Sequence, residues 1–218
     1  MTLGLLRLPR LVMLDRDGVI NFDSPDYIKS VSEWRPIPGA LDAIADLHHQ
    51  GIAVSICTNQ SGVARGLISM SALNAIHAAL QDALTQRGAQ LKMVSVCPHH
   101  PDENCCCRKP KPGMLLDQLS KLNVEPADAL FVGDSLRDVQ AACAARVPAA
   151  LVRTGNGVST EAALATQAQK AQSPDHRAGD QDRDQDGVER NGIEIVGAFD
   201  SLRDVADTIL SLSLPRPL

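Results

Sequence analysis

Two aspartates, one residue apart, follow directly on an apolar run in Leu11-Val12-Met13-Leu14-Asp15-Arg16-Asp17-Gly18. Strand C-termini are the ligand-binding edge of an α/β sheet. A carboxylate there can hold Mg²⁺, attack phosphorus or carry a proton. Taken alone, Asp-x-Asp reads as a solvated turn. Three further polar segments lie at strand or helix ends: Cys57-Thr58-Asn59-Gln60-Ser61-Gly62, Arg108-Lys109-Pro110-Lys111-Pro112-Gly113 and Gly133-Asp134-Ser135-Leu136-Arg137-Asp138. Each by itself is a polar loop, a helix cap or a basic turn. Together they bring a hydroxyl, cations and carboxylates to one edge of a sheet.

A second cluster is soft rather than acidic. Cys97, His99, Cys105 and Cys107 form the pattern C-x-H-x₅-C-x-C. Cys₃His is a closed, tetrahedral structural zinc set. His100 in place of His99 is the weaker alignment, and Cys106 falls outside the set. Buried free thiols or a redox cluster is the competing reading. Zinc with four protein ligands has no open position and does no chemistry. It would instead staple a loop that ends at Arg108-Lys109, and such binding contributes on the order of 10 kcal/mol. Four of the six cysteines lie in this one stretch. That clustering suits a metal in a reducing compartment, so a cytoplasmic protein is expected.

These groups need a scaffold. Apolar, β-branched runs predict strands near 11–15, 52–58, 92–96, 129–133, 148–153 and 193–196. Helical periodicity fits 38–50, 71–87, 113–122, 136–146 and 200–212, with Pro38-Gly39 opening the first helix and Gly51 closing it. Alternating strand and helix predicts an α/β fold: a doubly wound, mostly parallel, Rossmann-like sheet with right-handed crossovers. With 218 residues, 44% hydrophobic, the chain suits a single domain spanning 1–218. Residues 158–191 are rich in Ala, Gln, Asp and Arg and read as a flexible insertion, at least from 172 to 191. Within it, Asp182-x-Asp184-x-Asp186-Gly187 imitates the start of a calcium loop. Ile193 stands where its closing Glu belongs, so calcium is not expected.

Other classes are disfavoured. Net charge is −5 with mixed signs, and only five aromatics are available, so nucleic acid is not an expected partner. No apolar run reaches about 18 residues, so no membrane span is expected. The apolar N-terminus carries Arg7 and Arg10 and reads as a lead-in to the first strand rather than a signal peptide.

Over about 1–155, the four ordered segments resemble the motifs of the haloacid dehalogenase superfamily of phosphohydrolases. The resemblance implies catalytic Mg²⁺ held by Asp15, the main-chain carbonyl of Asp17, and Asp134. It implies Asp15 as nucleophile, forming an aspartyl-phosphate, and Asp17 as acid and base. Thr58 and Lys109 would bind the phosphoryl oxygens. Asp138, one turn beyond Asp134, stays open between orienting the metal shell through water and being a solvated helix residue. The short stretches between motifs leave no room for a large cap domain. With the zinc loop, the phrases Thr58-Asn-Gln-Ser-Gly-Val-Ala-Arg65-Gly66 and Thr154-Gly-Asn-Gly157 are similar to the bacterial D-glycero-D-manno-heptose 1,7-bisphosphate 7-phosphatases. Histidinol-phosphate phosphatases share the loop. This narrower likeness implies that Asp23, Ser24, Pro25, Asp26, Asn59, Gln60, Ser61 and Ser135 contact a phosphosugar, and that Arg108 takes its second phosphate. It places the activity in nucleotide-activated heptose synthesis for a surface glycan. The alternatives are a histidinol-phosphate phosphatase and a non-catalytic phosphosugar-binding protein. A monomer is expected, and Trp34 is expected to pack rather than to stack on substrate.

Overall fold

The computed structural model describes residues 8–172 and 195–212. Along them strands and helices alternate: β1 (Leu11–Leu14), α1 (Ala40–His49), β2 (Ala53–Asn59), α2 (Met70–Thr85), β3 (Met93–Cys97), α3 (Gly113–Leu122), β4 (Ala129–Gly133), α4 (Leu136–Ala144), β5 (Ala149–Val152), α5 (Gly157–Gln172), β6 (Ile195–Phe199) and α6 (Leu202–Ser211). All strand pairs are parallel, in the order β3-β2-β1-β4-β5-β6. The chain runs outward from β1 to β3 on one side, then returns to β4 on the other. The crevice above the C-terminal ends of β1 and β4 is therefore the topological switch point, where ligands bind in such sheets.

β1 is central and buried on both faces, so it reads as a continuous apolar run. Its side chains alternate between two cores. Val12 and Leu14 join Val54, Ile56, Leu130 and Val132 beneath α1 and α6. Leu11 and Met13 join Cys57 and Phe131 beneath α3 and α4. Each such Leu, Val or Phe contributes roughly 1.5–3 kcal/mol by leaving water. One buried polar group sits in the second layer. Gln118 accepts from the Ser55 hydroxyl at 2.5 Å and donates to the Ile56 carbonyl and Ser95 hydroxyl at 2.8 and 2.9 Å. Its partners meet the rule that buried polar atoms be hydrogen-bonded.

The six expected strands are present, and five of the helices lie where the periodicity placed them. α1 begins right after Gly39, whose φ of +80° a side chain rarely adopts, and Gly51 follows its end at φ +81°. α5 corrects the reading of 158–191 as flexible throughout, because residues 157–172 are helical. Ala and Gln are good helix formers even without an apolar stripe to announce them. Residues 173–191, the Asp182–Gly187 segment and the first seven residues lie outside the described residues. No inserted domain interrupts the alternation among the described residues. None of their helices is long and apolar enough to cross a membrane.

Candidate active site

Parallel register assembles the site. Leu14 lies opposite Ile56 of β2 and Val132 of β4. One step further, Asp15 comes abreast of Cys57 and Gly133, with Thr58 and Asp134 next. Three strands thus present carboxylate, hydroxyl and carboxylate at one level, and the Asp15 N–H still donates to the Val132 carbonyl at 2.9 Å.

Lys109 reaches the same point from the loop after β3. It is almost fully buried, with Nζ 2.9 Å from Asp15 and 2.6 Å from Asp138, and 5.3 Å from the Phe131 ring centre. Burial opposes its charge, but Asp138 and Asp15 more than offset this and raise its proton affinity. Asp138 is buried too, and its Oδ2 accepts from the Ser135 N–H and hydroxyl at 3.0 and 2.6 Å. The solvated-helix reading of Asp138 is therefore replaced: it is the buried counter-ion of Lys109. Asn59 fixes the lysine's backbone, donating to its carbonyl and accepting from its N–H.

The two aspartates of the first motif differ in environment. Burial pushes the Asp15 carboxyl up to about 8, with Lys109 opposing and Asp138, Asp17 and Asp134 adding to the rise. A divalent cation beside it would favour the ionised form. Burial also works to raise Asp17, but Arg16, Asn21 and Gln60 hold it below the ordinary carboxylate range. The fully buried Arg16 forks onto both Asp17 oxygens at 2.9 Å, while Asn21 and Gln60 each donate to it at 2.8 Å. The cage has its own supports. The Trp34 indole donates to Asn21, and Arg16 lies 3.2 Å from Nε2 of His77 on α2. Burial, then Arg16, pushes His77 down to about 4, so it accepts as a neutral imidazole. Trp34 otherwise packs on the core, as expected.

Asp134 is pushed up to about 6, by burial first, with Asn156 lowering it through hydrogen bonds and Asp138 raising it. Carboxylate oxygens of Asp15, Asp134 and Asp138 lie within 4.8 Å of one another. Asp138 is committed to Lys109 and Ser135, which leaves Asp15 and Asp134 as the better-suited pair. Hard oxygen donors of this kind fit Mg²⁺, which uses one or two carboxylates and keeps several waters.

These groups line a cleft of about 250 Å³ that also includes Asp23, Ser24, Pro25, Gln60, Ser61, Arg108 and Ser135. Asp26 is an exception among the expected contacts. The Ser24–Tyr27 turn carries it outward into solvent, and Tyr27 and Ile28 line the cleft in its place. Thr58 is buried and accepts from Gln60 at 2.9 Å. Nη1 of Arg108 is buried and has no hydrogen-bond partner among the described residues, which leaves a guanidinium donor for an anion.

The soft cluster closes as the spacing suggests. The Cys97 sulfur lies 3.7 Å from His99 Nδ1 and 3.6 Å from the Cys105 sulfur, and Cys107 is 3.3 and 3.5 Å from the same two atoms. A tetrahedron of zinc–sulfur bonds of about 2.3 Å has edges near 3.8 Å. The four donors could hold a zinc ion. His100 instead caps the turn at Pro101–Glu103, and Cys106 is exposed. The loop is tied to the catalytic edge, because Gln60 N–H donates to the Cys97 carbonyl at 2.7 Å.

The family model for haloacid dehalogenase-like hydrolases matches residues 11–146. A Pseudomonas aeruginosa protein named D-glycero-beta-D-manno-heptose-1,7-bisphosphate 7-phosphatase is 48% identical over 150 residues, covering 69% of this chain and 84% of its own length. The Escherichia coli protein of the same name is 39% identical over 159 residues, covering 69% and 83%. Among solved structures, D,D-heptose 1,7-bisphosphate phosphatase from B. bronchiseptica, complexed with magnesium and phosphate, superposes with a TM-score of 0.76. It is 40% identical and covers 92% of this chain and 98% of its own.

Proposed function

The chain belongs to the haloacid dehalogenase-like hydrolases, and from that premise we propose that it is a phosphoric monoester hydrolase. Its substrate is D-glycero-D-manno-heptose 1,7-bisphosphate, from which it removes the 7-phosphate. The reading rests above all on one observation: Asp15, Thr58, Lys109 and Asp134 converge in the cleft that Arg108 also lines. The names of the relatives supply the sugar. The whole chain acts as one phosphatase domain, a cytoplasmic monomer whose partner is a small phosphosugar.

Asp15 attacks phosphorus opposite the leaving oxygen. The Asp15 oxygen–phosphorus bond forms as the ester bond breaks, giving an aspartyl-phosphate. Asp17 gives its proton to the departing alkoxide. Water then attacks phosphorus, Asp17 takes a proton from it, and Asp15 is released. In the posture seen here Asp17 is ionised on Arg16, which is the base form. To act as acid it must be protonated and leave that contact. Lys109 and Thr58 hold phosphoryl oxygens, where charge gathers in the transition state. Mg²⁺, held by Asp15, Asp134 and the Asp17 carbonyl, would supply further charge neutralisation. Arg108 suits the second phosphate, since its fork matches a phosphate better than a point charge does. The Cys97–Cys107 zinc would hold the loop that delivers Arg108 and Lys109.

Phosphate release from both anomers of the heptose bisphosphate, measured beside histidinol phosphate, tests this. Turnover of a heptose bisphosphate at least 100-fold more efficient than histidinol phosphate is expected. The opposite preference would overturn the substrate assignment.

A further inference from the structure

The segment after β5, Arg153-Thr154-Gly155-Asn156-Gly157, makes unusually close contact with the ends of both β1 and β4. The Asn156 N–H and side-chain amide donate to the same atom, Oδ2 of Asp134, at 2.7 and 3.1 Å. The Thr154 hydroxyl donates to the Gly18 carbonyl at 2.6 Å. Between them the packing admits no side chain. A Cβ on Gly155 would fall 2.2 Å from Asp134 Oδ2 and 2.7 Å from the Gly18 α-carbon, and one on Gly18 would also fall 2.2 Å from that oxygen. Both glycines have positive φ, +58° and +82°.

We propose that Thr154 and Asn156 are positioning residues that decide how the acidic edge meets its cation. With Oδ2 occupied by two donors, Asp134 offers the cleft Oδ1 alone. Thr154 holds the Gly18 carbonyl, one residue beyond Asp17. It so steadies the turn that carries the Asp17 carbonyl, whose own peptide is tied by the Gly18 N–H to the Asn21 carbonyl. A one-oxygen carboxylate in a stiff frame suits Mg²⁺, which demands near-ideal octahedral geometry. Ca²⁺, with six to eight ligands and frequent two-oxygen carboxylates, is disfavoured. The clamp therefore sets both affinity and choice of cation. Partners that orient a metal ligand typically influence affinity 10–100-fold.

The inference rests on the cation site of the proposed reaction, and the test separates the two. Mn²⁺ binding to the full-length protein is followed by electron paramagnetic resonance without substrate, with Mg²⁺ and Ca²⁺ as competitors. Thermal unfolding without metal is recorded alongside. Asn156→Ala and Thr154→Val should each weaken Mn²⁺ and Mg²⁺ binding roughly tenfold or more and narrow the Mg²⁺ over Ca²⁺ preference. Thr154→Ser, which keeps the hydroxyl, should restore both. Variants that bind cations as the wild type does, whatever their melting temperatures, would overturn the clamp while leaving the site intact. So would a serine variant no better than the valine one. A wild-type protein that binds no Mn²⁺ would overturn the cation site itself.

Discussion

Asn59 and Lys109, fifty positions apart, are joined by two hydrogen bonds: the Asn59 amide donates to the Lys109 carbonyl at 3.0 Å, and the Lys109 N–H donates to Asn59 Oδ1 at 3.1 Å. The last residue of β2 thus grips the main chain of the cation. Asn59 lines the cleft, yet both ends of its amide are engaged with Lys109. Asn59→Ala should lower kcat by about 100-fold, the scale expected when a catalytic group shifts by about 1 Å. A steady-state assay checks this. Wild-type kcat would show that other contacts suffice to place the lysine.

Removing the cation itself should do two separable things. Lys109→Met takes a charge from the phosphoryl site and leaves Asp138 buried without its partner. Breaking a buried pair this way costs about 3–5 kcal/mol. Denaturant unfolding should show that loss, and turnover should fall at least 100-fold, the scale of one oxyanion donor. Adding Asp138→Asn should return much of the stability and none of the activity. If the double variant regained turnover, Lys109 would be structural only.

The soft cluster gives a prediction independent of the acidic one. Its loop ends at Arg108 and Lys109, so stripping zinc with a chelator that spares Mg²⁺ should reduce turnover and raise KM for the bisphosphate. Cys105→Ser should behave alike, with metal content read by mass spectrometry. Full activity in protein shown to be zinc-free would detach the loop from catalysis.

His77 carries the pH prediction. Its pKa in the fold is about 4, below the ordinary 6.5. The unfolded chain therefore takes up the proton first as pH falls. His77's contribution is fully present above about pH 6.5 and is lost as pH drops toward 4. His77→Gln keeps an acceptor for Arg16 and should flatten the stability curve across that window. An unchanged slope would place His77's titration outside it.

Much of this was legible in sequence because the chemistry sits at strand ends. Leu11–Leu14 and Ala129–Gly133 are continuous apolar runs, so the positions of Asp15 and Asp134 follow from where those runs stop. The zinc donors were legible because all four lie in one short loop. The supports were not. Arg16 meets His77 across 61 positions and Asn156 meets Asp134 across 22, and no local pattern announces either. Asn156 stood in a phrase that marked the family likeness, but nothing local gave it a role. α5 was missed for another reason: alanine and glutamine form helices without the 3.6-residue apolar rhythm that betrays them. Asp26 was misplaced because a Pro turn does not reveal which of its residues faces inward.

The identity of the nucleophile can be read directly. During turnover of the heptose bisphosphate, rapid acid quench followed by borohydride reduction converts an acyl-phosphate to an alcohol. Peptide mass mapping should then find homoserine in place of aspartate at Asp15, and that homoserine should be missing in Asp15→Asn. Asp15 recovered unmodified under conditions that trap a known acyl-phosphate, or the modification found at Asp17, Asp134 or Asp138 instead, would contradict it.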